Sequence, residues 1–139
     1  MLDYKLKIAL VPERRYLPGP KRTGIFNPDY AVKNKERIVS YIKSRFADEI
    51  TEFTDLEWLN EEGLLYLESD CEKVAERLKA DKVDAIFLIN CNFGNEEAAE
   101  KIAHLMNLPV LLYAPRDDKF DADGTRYTDS QCGVFAISK

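Results

Sequence analysis

The sequence is poor in the residues that most enzymes use at a reaction centre. His104 is its only histidine, and its three cysteines, Cys71, Cys91 and Cys132, are odd in number, widely spaced and include no CxxC pair. A disulfide framework and a structural zinc site are therefore not expected, and the cysteines read as buried free thiols. Without a second histidine or a Cys/His pair at a strand end, nucleophilic catalysis and a zinc-activated water have no support. His104 itself shares a helix face with Glu97, Glu100 and Lys101, which is a surface position.

Long apolar runs are missing as well. The stretches at 8–11 and 85–89 fall far short of the roughly 18 residues that a membrane-spanning helix needs. The opening Met1-Leu2-Asp3-Tyr4-Lys5 leads into a strand without the hydrophobic segment of a signal peptide, so no membrane partner and a cytoplasmic location are expected. Positive charge is also in deficit. Twenty Lys and Arg against 25 Asp and Glu give a net charge of −5, a field that repels a phosphate backbone and argues against nucleic acid.

What is present is an ordinary globular composition, 45% hydrophobic and 32% charged over 139 residues. That length suits one domain, so residues 1–139 are read as a single unit with no internal boundary. Residues 7–11 form a short apolar run ended by Pro12, as a strand buried on both faces would. After a loop rich in proline and glycine, Asn27-Pro28-Asp29 supplies a capping side chain, a proline for the first helical position and an acid for the first turn. Ile38, Val39, Ile42 and Phe46 then recur at helical spacing as the core-facing stripe, with Lys35, Glu36, Lys43 and Arg45 mostly elsewhere.

Residues 49–53 alternate polar and apolar, the pattern of a half-exposed strand near a sheet edge. Ser69 and Glu72 have capping-box spacing ahead of a helix that buries Cys71, Val74, Ala75 and Leu78, while residues 54–68 carry no clear period. Residues 83–89 read as the central strand, followed by Asn90-Cys91-Asn92-Phe93-Gly94-Asn95 and a helix carrying Ala98, Ala99, Ile102, Ala103 and Met106 inward. Residues 109–113 make a fourth strand, and a capped helix opens near Ser130 with no terminator before Lys139. The alternation predicts an α/β fold: a doubly wound, mostly parallel, three-layer sheet of flavodoxin-like or Rossmann-like order, its last helix truncated. On that reading the chain is the N-terminal fragment of a larger multidomain protein.

Ligands of such folds sit beyond the carboxyl ends of the strands, so the loops there are where chemistry is expected. The loop after the first strand has neither GxGxxG nor GxxxxGK[ST], and Glu96 and Glu97 already occupy the positive end of the third helix. Nucleotide and phosphate sites lose their support. A phosphoacceptor domain would need an acid at the end of the third strand, where Asn90 stands. The Asp-rich stretch 117–124 puts Lys119 and Ser130 where a calcium loop needs carboxylates, and reads as a solvated turn.

What remains is a set of hydrogen-bonding groups at the strand ends: Arg14, Arg15 and Arg22 after the first strand, Asn90 and Asn92 after the third, and Arg116 after the fourth. Planar Asn and Arg groups can fork onto adjacent hydroxyls and Phe93 can lie against a sugar ring's C–H face, so the fit is to a neutral polyhydroxylated ligand. The alternative is that the asparagines only shape the turn and the arginines are solvated.

Four segments carry a family resemblance: Val11-Pro12-Glu13-Arg14-Arg15, residues 89–96, Tyr113-Ala114-Pro115-Arg116 and Ser130-Gln131-Cys132-Gly133. In these the chain resembles the N-terminal domain of the L-fucose and L-arabinose isomerases, aldose–ketose isomerases of sugar catabolism. The resemblance implies a manganese-dependent parent enzyme that moves a proton between C1 and C2 through an enediol. It places the metal's carboxylates and histidine in later domains, so this chain alone is expected to have no catalytic residue, no metal site and no activity. It also implies a role in assembling a homo-oligomer, with the strand-end loops reaching over a neighbouring subunit's active site to touch the sugar. On this chain that role falls to Arg14 or Arg15 and to Asn92-Phe93. The fucose enzymes tend to carry a larger aromatic in this loop, so the preferred sugar is left open. Two other readings stand beside it: a free-standing α/β domain that binds a small polar metabolite, and a purely structural subunit-contact module.

Overall fold

The computed structural model describes residues 4–19, 24–48, 51–120 and 122–139. Four parallel strands, β1 (Leu6–Glu13), β2 (Thr51–Thr54), β3 (Ala85–Asn90) and β4 (Val110–Tyr113), form one sheet in the order β2-β1-β3-β4. The α-helices are α1 (Pro28–Phe46), α2 (Cys71–Ala80), α3 (Glu96–Met106) and α4 (Ser130–Ile137). This is the doubly wound order expected from the alternation. The chain leaves β1 in one direction and returns past it to β3, so with crossovers of one hand α1 lies on one face and the later helices on the other.

The strand period of two divides the core accordingly. Ala9, Val11, Ile86 and Leu88 point into the layer built by α2 and α3, where Val74, Leu78, Ala99 and Ile102 meet them. Leu10 and Ile89 point the other way, against Ala31, Ile38, Val39 and Ile42 of α1. Asn27 caps α1 by accepting from the Asp29 amide at 2.9 Å, with Pro28 at the first helical position, as its sequence requires.

Several sequence expectations are corrected. Pro12 does not end β1 but lies within it, paired with Ile89 of β3. Its missing N–H faces the side where β2 has already stopped, and its carbonyl accepts from Leu65 at 2.9 Å there. Ser69 and Glu72 make no capping box: a 3-10 turn over Glu68–Asp70 runs directly into α2, and the Glu72 carboxylate pairs with Lys101 at 2.7 Å. Phe46 is exposed although it continues the α1 stripe, and Lys35 is buried, its ammonium 2.7 Å from Glu57. The reason for the first is that α1 covers only part of its face. Beyond it an apolar cleft of about 690 Å³, lined by Phe46, Phe87 and Leu111 among others, is open to solvent. Cys132 is exposed, unlike Cys71 and Cys91, because it lies on the outer side of α4. Glu49 and Ile50 of the expected second strand lie outside the described residues.

The segment without a period folds as a turn nailed down by one side chain. Asn60 donates to the Leu64 carbonyl at 2.8 Å and accepts from the Glu62 and Leu64 amides. Leu56, Leu59, Leu64 and Leu65 anchor it in the two cores, and Leu65 bonds in parallel with the end of β1. No described helix is long and apolar enough to cross a membrane.

Candidate functional site

The carboxyl ends of β1 and β3 meet at Glu13 and Asn90, register partners at the point where the strand order reverses. Burial and close packing dominate here. Asn90 is fully buried and donates to the Ser130 carbonyl of α4 at 2.9 Å and to the Phe93 carbonyl at 3.2 Å. Asn92, also buried, accepts from the Arg15 amide at 2.8 Å and from the Gly94 amide at 3.1 Å. The two asparagines therefore fix the loop after β3 against both β1 and α4.

Two glycines make the approach possible. At Gly94, whose φ is +91°, a Cβ would stand 2.7 Å from Glu13 Oε1 and closer still to Asn90 Oδ1. At Gly133 a Cβ would collide with the Phe93 carbonyl oxygen and stand 2.6 Å from its carbon, so α4 is seated directly on this loop.

Glu13 was named in the sequence only as part of a motif, yet it is the centre of the arrangement. It is fully buried, and Oε2 accepts from the Asn95 amide at 2.8 Å. Burial pushes its pKa from the ordinary 4.5 up to about 8, opposed by the Asn95 amide and the charge of Arg15. At neutral pH it is thus mostly the neutral acid. Among the described residues Glu13 Oε1, Asn90 Oδ1 and Asn92 Nδ2 have no hydrogen-bond partner. A proton on Oε1 gives the two oxygens that converge over Gly94 the donor that they lack.

The neighbouring arginines have opposite fates. Arg14 is buried: its Nε and Nη2 fork onto Glu62 at 2.6 and 3.1 Å, and its guanidinium lies 4.0 Å from the Tyr66 ring centroid. Its fork is occupied by protein, so it offers little to a ligand. Arg15 is part-exposed, its side chain 28% accessible. It donates from Nε to the Gly94 carbonyl at 2.5 Å, pairs with Glu96 and lies 5.7 Å from the Phe93 ring centroid. Phe93 is half-buried and in T-shaped contact with Phe26, ring centroids 5.7 Å apart. Arg22 lies outside the described residues. Arg116 is exposed on the β4–α4 loop and belongs to a separate cleft.

Of the expected site residues, Arg14, Arg15, Asn90, Asn92 and Phe93 thus meet around the β3–α3 turn, but only Arg15 and Phe93 present side chains outward. Glu62, which claims Arg14, came from the aperiodic segment and left no sequence signal. His104 is exposed. Among the described residues no group of three or more His, Cys, Asp and Glu side chains is placed to hold a metal ion.

A family model described as the N-terminal domain of fucose/sulfoquinovose isomerase matches residues 20–139. No curated protein and no solved structure matches the chain.

Proposed function

The chain belongs to the family of fucose/sulfoquinovose isomerase N-terminal domains, and from that membership we propose that it serves as a substrate-capping and assembly domain of a sugar isomerase, without chemistry of its own. The catalytic groups and any manganese then belong to other domains of the complete protein, which works in the cytoplasm as a homo-oligomer. The contact with sugar is made by Arg15 and Phe93.

One observation carries this choice. Among the described residues Arg15 is the strand-end arginine that is both part-exposed and held in place, by the Gly94 carbonyl, by Glu96 and by the face of Phe93. A guanidinium so oriented keeps N–H groups for a hydroxyl without ordering a free side chain at the moment of binding, while Phe93 offers an apolar surface to ring C–H groups. Arg14 and the two asparagines build the platform beneath.

In the complete isomerase, Arg15→Ala and Phe93→Ala should each raise KM for the sugar about tenfold, the effect of about 1.4 kcal/mol of lost binding. Their kcat should change little, since neither group touches the C1–C2 proton transfer. An unchanged KM in both variants would sink the assignment.

A further inference from the structure

A second cleft at the same edge of the sheet carries charge of the opposite sign to the chain's own net −5. It lies between the first turns of α1 and the loop after β4, has a volume of about 260 Å³, and includes Lys33, Arg116 and Lys119 in its lining. None of these three cations has an ion-pair or hydrogen-bond partner among the described residues, whereas Arg14, Arg15, Lys35, Lys43 and Lys101 are all paired with carboxylates. Two acids share the wall. Asp117 turns both carboxylate oxygens inward, accepting from the Thr128 amide at 3.1 Å, the Thr128 hydroxyl at 2.6 Å and the Asp129 amide at 2.8 Å. Asp118 lies beside it, so three cations face two acids and the lining keeps one positive charge.

The remaining wall is aromatic. Tyr30 and Tyr127 lie with ring centroids 4.9 Å apart, and neither phenol is bonded to a described residue. The bonds of Asp117 tie the residue next to Arg116 to the residues that follow Tyr127. Free donors, an excess of positive charge and a ring surface converge at the strand end where doubly wound folds bind ligands.

We propose that this cleft is an anion site, distinct from the Arg15–Phe93 surface, that takes a compact organic oxyanion of about one ring. Lys33 and Arg116 pair with the oxyanion head, and the tyrosines receive the body. The site is too small for a nucleotide, and the chain has no glycine-rich phosphate loop to hold one.

Calorimetric titration of the chain with D-glucose 6-phosphate, inorganic phosphate and D-glucose tests this. The phosphorylated sugar should bind, weakening as salt rises, and at least tenfold more tightly than either of the other two probes. The double variant Lys33→Met with Arg116→Met should lose at least tenfold in affinity at unchanged thermal midpoint, because both side chains are exposed and have no partner among the described residues. Lys79→Met on α2 should bind as the parent does. Arg15→Ala should also bind as the parent does, which separates this site from the sugar contact proposed above. Absence of binding by glucose 6-phosphate, equal binding by glucose or by phosphate alone, or unchanged affinity in the double variant would each overturn the proposal.

Discussion

The end of the β1–β3 pair and the end of β4 sit side by side on one edge of the sheet, and they treat polar groups in opposite ways. At β1 and β3 the polar side chains are buried and interlocked: Glu13, Asn90 and Asn92 are 0% exposed, and two glycines let backbone and side chains approach within contact distance. At β4 the cations of the cleft are exposed and, among the described residues, unpaired. The difference teaches which polar residues the fold consumes and which it leaves for something else. Where burial removes water, a polar group must find a protein partner, and the chain around it loses its freedom to vary. Where water remains, charge is tolerated without a partner and stays available.

The sharpest way to break the comparison is to remove the close approach at the first region. Gly133→Ala puts a methyl group into the Phe93 carbonyl, so α4 must lift from the loop and the Asn90 bond to the Ser130 carbonyl is lost with it. A loss of about 4 kcal/mol or more is expected, in the range reserved for backbone collisions in a close-packed interior. Denaturant unfolding measures it; a cost under about 1 kcal/mol would mean that α4 does not rest on this loop.

The second test uses pH. Folding raises the Glu13 pKa from 4.5 to about 8, so the folded protein holds this proton more tightly than the unfolded chain does. Its contribution is fully present below about pH 4.5 and is lost as pH rises to about 8, with a slope approaching about 1.4 kcal/mol per pH unit within that window. Glu13→Gln keeps an acceptor for the Asn95 amide, adds a permanent donor facing Asn90 and cannot ionise. It should be near neutral at pH 5 and more stable than the parent by about 2 to 4 kcal/mol at pH 9, as read from unfolding midpoints at the two pH values. Parallel pH profiles for parent and variant would show that Glu13 is already ionised in the folded protein.

Much of this architecture was legible in the sequence, because it follows from period and from turn residues. Asn27-Pro28, the continuous apolar runs of β1 and β3, and the stripes of α2 and α3 each state a local preference that packing then satisfies. The alternating residues of β2 also announced an edge strand, and β2 is one. What was not legible is pairing across the chain. Nothing in residues 54–68 says that Asn60 will order a turn and deliver Glu62 to Arg14, 48 residues away. Pro12 misled for a related reason: whether a proline ends a strand depends on whether a neighbour lies on its N–H side, and that is a property of the sheet. Glu13 was passed over because an acid after an apolar run looks like the start of a loop, when in fact the strand continues through it.

The smallest expected effect tests the two adjacent arginines, which share a sequence motif and differ only in what surrounds them. Arg14→Lys keeps the charge but loses the fork onto Glu62 and the planar contact with Tyr66; since the site is buried, about 1 to 3 kcal/mol of stability should go with them. Arg15→Lys removes a partly solvated pair with Glu96, a kind of interaction that rarely contributes more than about 1 kcal/mol. Thermal unfolding of the two variants side by side should therefore separate them, with Arg14→Lys the less stable. If the order were reversed, Arg15 would be the structural arginine, and the surface offered to the sugar would have to be sought around the other one.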